Sequence, residues 1–316
     1  MRLVFLGTGD IALPTLRTLI VDPDHDVVGV VSQPDKPVGR KQVVTAPEIK
    51  KLALSHGIPV EQPERIRRKA ALAKIAAWNA EVMVVMAYGQ ILAKALLEMP
   101  SMACLNLHAS LLPRHRGAAP IQAAIRDGDL QSGITVMHIA EGLDTGDILL
   151  QHAFDLAPDE TGKSLHDRLA DSAPQALSEA LQLLASGNDP RRVQDESHMS
   201  HTGKLVREDG IIDWAQSATV IERLIRAFEP WPGTLAFIGE GEAKRRMKIF
   251  PPVSVMDPAR SDAIPGAAYL CEDGSWCVMT GQRALRVSEI QIEGKRRMSV
   301  SQFCKDYQIP QETALS

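Results

Sequence analysis

The chain has 316 residues, of which 45% are hydrophobic and 23% charged, and its formal net charge is −4. This balance excludes a disordered chain, and the weak negative charge excludes a uniformly basic surface, so any nucleic-acid partner must meet local basic patches. The length predicts two domains rather than one.

No part of the sequence approaches the roughly 18 consecutive apolar residues of a membrane helix. The first apolar run, residues 2–6, ends at Gly7 and is too short for a secretion signal. We therefore expect a soluble, cytoplasmic protein. None of the four cysteines belongs to a C-x-x-C pair, which predicts reduced and mostly buried thiols. His198 and His201 are three apart, but their polar, loop-like surroundings at 197–203 predict no metal site there.

Short apolar runs alternate with helical patterns through about residue 130. The strands are predicted at 2–6, 27–32, 58–60, 82–87 and 103–108, and the helices between them at 11–21, 46–56, 66–78 and 91–99. The apolar runs are continuous rather than alternating, which is typical of strands buried on both faces. The pattern predicts an α/β domain, 1–187, with a Rossmann-like, mostly parallel sheet. Strands at 133–139 and 148–154 and a long helix at 163–185 complete it.

The character of the sequence changes after Gly187. Residues 188–209 are polar with little periodicity, and we predict that they form a linker. In the remainder, 210–316, a helix at 218–228 precedes several short strand-like runs separated by turn signals. This spacing predicts a small C-terminal β-barrel domain, similar to an OB fold.

The loop after the first strand carries a glycine pattern. Residues 7–12 read G-T-G-D-I-A, which fits the G-x-G-x-x-A fingerprint of dinucleotide-binding folds, and Asp35 is an available ribose-binding acid. An NAD(P)-dependent oxidoreductase is therefore one alternative. The other is a tight strand-to-helix turn of the kind many α/β folds contain.

Two polar residues stand at the end of the strand predicted at 103–108. Asn106 and His108 are two positions apart, so their side chains point to the same face at the carboxyl end, where open α/β sheets bind ligands. One interpretation is an oxyanion donor beside a general base. The other is a histidine that is bonded to a neighbouring loop, and spacing alone leaves both open.

A third candidate, Asp144, lies in the glycine-flanked loop 141–147. Such a loop can present a carboxylate without a regular element dictating its direction. A carboxylate near His108 would stabilise the imidazolium and determine its tautomer. The alternative is a turn aspartate that satisfies its own backbone, a role for which Asp147 is the better candidate.

These segments together resemble the folate-dependent formyltransferases. The resemblance rests on N-x-H-x-S-L-L-P-x-x-x-G at 106–117 and G-x-D-T-G-D at 142–147, and it extends through segments 33–40, 84–89, 212–214 and 226–233. The last two segments belong to the second domain, which the shorter glycinamide ribonucleotide formyltransferases lack. The chain is therefore most similar to the two-domain members of the family, which act on methionyl-tRNA.

The resemblance implies an activity and a set of site residues. The formyl donor is 10-formyltetrahydrofolate, the acceptor is the α-amino group of initiator methionyl-tRNA, and no metal takes part. Asn106, His108 and Asp144 correspond to the catalytic residues of the family. The other implied residues border folate (Ser110, Leu111, Leu112 and Pro113) or contact tRNA (Arg40 and Lys41). A monomer is expected. A formyltransferase for a sugar or nucleotide amine and a non-catalytic folate- or tRNA-binding module remain as alternatives.

The second domain contains two basic clusters, 244–248 and 295–297. From Leu205 onward, however, 14 Lys and Arg stand against 15 Asp and Glu, so the domain is not basic overall. We expect tRNA binding there to be modest and salt-sensitive, and we expect reversal of the charges at 295–297 to weaken it.

Overall fold

The structure, a computed structural model, describes residues 1–39, 41–239, 241, 244–258 and 264–316. The chain separates into two compact units. Unit 1 comprises Met1–Pro120, Gln131–Asp155 and His166–Thr202, and unit 2 comprises Ile121–Leu130, Leu156–Leu165 and Gly203–Ser316. Each unit is assembled from three separate segments of the chain, so the predicted domain bounds at 187 and 210 stay a prediction.

A central sheet organises unit 1. The strands of this unit are β1 (Arg2–Gly7), β2 (Asp26–Val31), β3 (Lys36–Val38), β4 (Val43–Thr45), β5 (Val60–Glu61), β6 (Val82–Met86), β7 (Ala103–His108), β8 (Arg116–Gly117), β9 (Gln131–His138), β10 (Ile148–Asp155) and β11 (His201–Thr202). Within the described residues, seven of them form one sheet in the order β10-β9-β7-β6-β1-β2-β5. Strands β1, β2, β5, β6 and β7 pair with one another in parallel, whereas β9 and β10 are antiparallel to their neighbours. The predicted mostly parallel sheet is confirmed.

The helices predicted at 11–21, 46–56, 66–78, 91–99 and 163–185 are each found with shifted ends, whereas the helix at 120–127 was not predicted. They are α1 (Leu13–Val21), α2 (Glu48–Ser55), α3 (Lys69–Ala76), α4 (Lys94–Leu97), α5 (Pro120–Asp127) and α6 (Gly162–Ala185). The helix predicted at 91–99 is only four residues long, because Ala93 is still extended with φ −78° and ψ 149°. Buried strands explain why the sheet was recognisable, since β6 is buried at all five positions and needs apolar residues on both faces.

Unit 2 is built from antiparallel strands. Its elements are α7 (Ala218–Ala227), β12 (Thr234–Ile238), β13 (Arg245–Ile249), β14 (Val253–Met256), β15 (Ala267–Leu270), β16 (Trp276–Met279), β17 (Ala284–Val287), β18 (Glu289–Ile292), β19 (Met298–Ser299), α8 (Val300–Tyr307) and β20 (Glu312–Ala314). The strands form two sheets, β12-β13-β18-β19 and β14-β17-β16-β15-β20. Leu315 bridges Ile238 and so joins the two sheets along one side. The predicted small C-terminal β domain is confirmed, and its strands pair antiparallel.

A hydrophobic core packs the last helix of unit 2 against its strands. Trp276 is fully buried, and its ring meets that of Phe303 edge-on at 5.8 Å, so α8 packs against β16. Ser299 caps α8 by accepting a hydrogen bond from the backbone N–H of Gln302. The sequence analysis did not predict α8. In the part of the chain that the structure describes, no helix has the length and apolar character needed to span a membrane.

The cysteines differ in accessibility, which leads to a labelling prediction. Cys104, Cys277 and Cys304 are buried, and burial raises the pKa of Cys104 to about 12, whereas Cys271 is half-buried. Since the thiolate is the reactive form, we expect only Cys271 to react rapidly with Ellman's reagent at pH 8. The fast phase should vanish in Cys271→Ser and all four thiols should react in guanidinium. Native-state labelling of Cys104, mapped by mass spectrometry, would contradict this packing.

Candidate active site

The carboxyl end of β7 carries the two polar residues that the sequence analysis singled out. Asn106 is partly exposed and His108 is buried, with 6% of its surface exposed. Asn106 stands opposite Val85 of β6 and Met137 of β9, and His108 stands opposite Thr135. Because they are two positions apart on one strand, both side chains leave the same face of the sheet.

The ring of His108 is held from two sides. Its Nε2 lies 3.0 Å from the carbonyl oxygen of His115, and its Nδ1 lies 3.7 Å from Oδ2 of Asp144. An Nε2–H donor to the carbonyl leaves Nδ1 facing the carboxylate across a gap longer than a hydrogen bond. The loop-bonded histidine is therefore observed, and the same ring also faces a carboxylate, while the oxyanion-donor and general-base interpretation stays a prediction.

Asp144 reaches this position from an unusual backbone conformation. Its φ is +53°, in the left-handed region, and its Oδ2 accepts a 2.8 Å hydrogen bond from the backbone N–H of Gly117. Its side chain is 13% exposed. The carboxylate is thus oriented by the segment that follows β7, and it is not the self-satisfied turn aspartate of the alternative interpretation.

The loop from Ser110 to Pro113 is held by main-chain bonds. The Thr135 hydroxyl makes two of these bonds: it donates to the Ser110 carbonyl at 2.6 Å and accepts from the Leu112 N–H at 3.1 Å. The Ser110 hydroxyl donates to the carbonyl of Arg114, and Leu112 packs in the core. Ser110 and Leu112 are buried, so Leu111 and Pro113 are the members of this loop whose side chains are partly exposed.

Strands β3 and β4 form a hairpin in the loop that was predicted to contact tRNA. Lys41 is exposed near its tip, whereas Arg40 lies outside the described residues. Three valines on the hairpin are exposed by more than half of their surface: Val38, Val43 and Val44. The hairpin therefore presents an apolar surface together with the Lys41 charge.

The glycine loop forms a tight turn. The N–H of Gly9 donates to the carbonyl of Ala87 at 3.3 Å, and a Cβ on Gly7 would lie 2.7 Å from the ring of Phe5. Asp35, the acid that a dinucleotide would need, accepts hydrogen bonds from Lys50 at 2.9 Å and Gln62 at 2.7 Å. These bonds lower the pKa of Asp35. Close packing thus accounts for the glycines, and Asp35 is already bonded within the protein.

Three residues beside the site were missed by the sequence analysis. Arg116, Gln194 and Glu196 form a polar cluster against the Asp144 loop, and two of them come from the segment predicted to be a linker. Little local signal pointed to Arg116, because it follows Arg114 and His115 in a polar stretch. Its partners are 78 and 80 residues away, beyond the reach of local patterns.

Two family models match most of the chain. The model described as formyl transferase matches residues 1–181, and the one described as formyl transferase, C-terminal domain, matches residues 204–308. The chain belongs to the formyl transferase family.

Individual relatives are more specific. The methionyl-tRNA formyltransferase of Akkermansia muciniphila is 46% identical over 304 residues, covering 96% of both chains. That of Marinobacter nauticus is 44% identical over 301 residues, covering 95% of this chain and 94% of its own. The resemblance found in the sequence is confirmed. Relatives of this identity and coverage favour a formyl transferase over an oxidoreductase.

The fold is also that of solved formyltransferases. An N-formyltransferase from Helicobacter canadensis, in complex with folinic acid and dTDP-3-aminofucose, superposes with a TM-score of 0.62 at 17% identity. The match covers 90% of this chain and 98% of that one. At this identity the similarity concerns the fold alone, so it does not favour a sugar amine as acceptor.

Proposed function

We propose that this protein transfers the formyl group of 10-formyltetrahydrofolate to the α-amino group of initiator methionyl-tRNA, which yields N-formylmethionyl-tRNA for translation initiation. The observation that carries the proposal is the Asp144 carboxylate facing His108 at the end of β7, in a chain whose full-length relatives are methionyl-tRNA formyltransferases. Asn106 and His108, at the carboxyl end of β7, supply an amide and an imidazole, and Asp144 supplies a carboxylate.

The chemistry is an acyl transfer from nitrogen to nitrogen. The methionyl amine attacks the formyl carbon, the carbonyl electron pair moves to oxygen, and a tetrahedral intermediate forms. When the carbonyl re-forms, the bond to folate N10 breaks, N10 takes up a proton and the new amide has lost one. The side-chain amide of Asn106 and an N–H of His108 stabilise the negative oxygen.

We propose different roles for the two ring nitrogens of His108. Nε2 bonds the carbonyl of His115 at 3.0 Å, which orients the ring. Nδ1 is 3.7 Å from Asp144, so it makes no direct hydrogen bond and is the nitrogen that we assign to the reacting atoms. The carboxylate of Asp144 stabilises the imidazolium and helps to route the proton to N10, through water.

Folate and tRNA binding are assigned to two different segments of the chain. We propose that the loop 110–113 borders the folate, with the half-exposed side chains of Leu111 and Pro113 in contact with it and buried Ser110 and Leu112 giving the loop its shape. Lys41 on the β3–β4 hairpin, together with Arg40, is assigned to the tRNA acceptor stem. Their charges suit phosphates and base edges.

Formyl transfer from labelled 10-formyltetrahydrofolate tests the proposal directly. We expect label on the aminoacyl end of methionyl initiator tRNA, recovered as N-formylmethionine after deacylation. Elongator methionyl-tRNA and a dTDP-linked amino sugar serve as comparison acceptors. Transfer to the sugar and not to methionyl-tRNA would establish the alternative acceptor, and absence of transfer to any acceptor would reject a formyl transferase activity.

The basic cluster at 295–297 allows a sharper binding prediction than the sequence did. Arg297 lies over the ring of Phe250 at 4.3 Å, bonds the carbonyl of Pro251 and forms an ion pair with Glu289, so it is used within unit 2. Lys295 and Arg296 are exposed. We expect the double change Lys295→Glu and Arg296→Glu to lower the slope of log K for tRNA against log salt by about two.

Arg297→Glu is the matched control for this measurement. We expect it to lower the melting temperature, because it removes the cation–π contact and the ion pair. Filter binding over a salt series, together with the melting temperatures, separates a loss of phosphate contacts from a loss of stability. An unchanged slope in the double variant would mean that Lys295 and Arg296 do not contact phosphates.

A further inference from the structure

A buried guanidinium and a buried amide lie directly beside the Asp144 loop. Arg116 is 2% exposed and Gln194 is 6% exposed. Nε and Nη2 of Arg116 donate to Oε1 of Gln194 at 3.0 and 2.8 Å. On its outer side the same guanidinium bonds both carboxylate oxygens of Glu196, at 2.7 and 3.1 Å, which compensates its charge.

The other end of the Gln194 amide is bonded to the loop itself. Its Nε2 donates to the carbonyl oxygens of Asp144, at 2.8 Å, and Gly146, at 2.7 Å. A guanidinium can only donate and a backbone carbonyl can only accept. The orientation of the amide is therefore dictated by its neighbours, with its oxygen toward Arg116 and its nitrogen toward the loop.

This loop needs such support because its conformation is unfavourable in isolation. Asp144 has a φ of +53°, which costs a residue with a side chain about 1 kcal/mol. Buried carbonyls without donors cost more. Gln194 supplies two donors to the loop backbone, while the N–H of Gly117 supplies one to the Asp144 carboxylate.

We propose that Gln194, oriented by Arg116, is a positioning residue for Asp144, an inference that rests on the proposed function. It acts by holding the loop in the conformation that aims the carboxylate at His108. Strand β8, which contains Arg116 and Gly117, thereby controls both the backbone and the side chain of Asp144. The segment after α6 is thus part of the site and does more than connect two units.

The test removes the hydrogen bonds from Gln194 to the loop, and one of its two variants keeps the acceptor for Arg116. Gln194→Met has the same length and no polar atoms at its end, and Gln194→Glu keeps a partner for Arg116 while placing oxygen against the loop carbonyls. We expect either variant to lower the single-turnover rate by about 10- to 100-fold, because small misplacements at an active site have effects of this size. KM for folate and for tRNA should change by less than about twofold, since uniform binding is untouched.

Matched measurements keep a folding defect apart from a positioning effect. Gln131→Met makes the same substitution at the exposed start of β9, where Gln131 bonds Asp155, and should leave the rate unchanged. Thermal unfolding is recorded for every variant. If Gln194→Met does not fold, Gln194→Glu provides the test, because its carboxylate still accepts hydrogen bonds from Arg116 and forms an ion pair with it.

A double-mutant cycle with Asp144→Asn separates positioning from general stability. If Gln194 acts through Asp144, then Gln194→Met should cost less than about twofold in the Asp144→Asn background. A full, multiplicative loss in that background, or no loss in the wild-type background, would overturn the inference. An Asp144→Asn variant with wild-type activity would overturn it as well.

Hydrogen exchange tests whether Gln194 holds the loop without a measurement of enzyme activity. We expect Gln194→Met to speed exchange of amides in 141–147 while those of β9 keep their protection. If the wild-type protein transferred no formyl group, the proposed function would fail, and this exchange pattern would still show whether Gln194 holds the loop. Unchanged exchange in 141–147 would overturn the inference even in an active enzyme.

Discussion

His108→Ala is expected to slow formyl transfer by about 100- to 1,000-fold while the affinity for folate stays within about twofold. Loss of a donor to a developing oxyanion has this magnitude in acyl-transfer enzymes. The ring is oriented by the carbonyl of His115 at 3.0 Å and faces Asp144 at 3.7 Å, so its removal takes away a preorganised donor and not a packing contact alone. Asn106→Ala should show a loss of the same order.

His152→Ala is the matched control, because His152 on β10 also faces a carboxylate, that of Glu179 at 2.8 Å. It should retain near-wild-type transfer. Single-turnover rates at saturating methionyl-tRNA, with folate binding measured separately, distinguish lost chemistry from lost binding. Near-wild-type transfer by His108→Ala with folate bound would show that the assignment of the site is wrong.

Gly146→Ala is expected to destabilise the protein by about 1 to 3 kcal/mol and to lower the transfer rate by about 100-fold. A Cβ at this position would lie 1.7 Å from the carbonyl oxygen of His138 and 3.2 Å from the backbone nitrogen of Ala140. Both obstacles are backbone, so the loop must move and carry Asp144 away from His108. The effect on rate should therefore exceed what the loss of stability explains.

Gly203→Ala provides the control, because a Cβ there has no atom within 4 Å. Urea unfolding gives the free energy of each variant, and kcat is measured well below the unfolding transition. A Gly146→Ala variant with wild-type stability and rate would mean that the loop adopts another conformation in solution.

Sequence patterns predicted the architecture because burial leaves a periodic trace. Strands buried on both faces must be apolar throughout, and β1, β6 and β7 were recognisable for this reason. The same logic placed Asn106 and His108 together, because they sit two apart at the carboxyl end of one strand. The helix α5 and the β3–β4 hairpin were not predicted, and the hairpin is mostly exposed, so burial leaves no periodic trace in it.

The sequence by itself therefore determined the sheet, the strand that carries Asn106 and His108, and the presence of an acid in a glycine-flanked loop. Only the tertiary structure decided where that acid points. Its direction depends on the N–H of Gly117 and on the amide of Gln194, which are 27 and 50 residues from Asp144. Periodicity records whether a residue is buried, but a hydrogen bond between distant segments leaves no period, so its partners emerge only when the chain is folded.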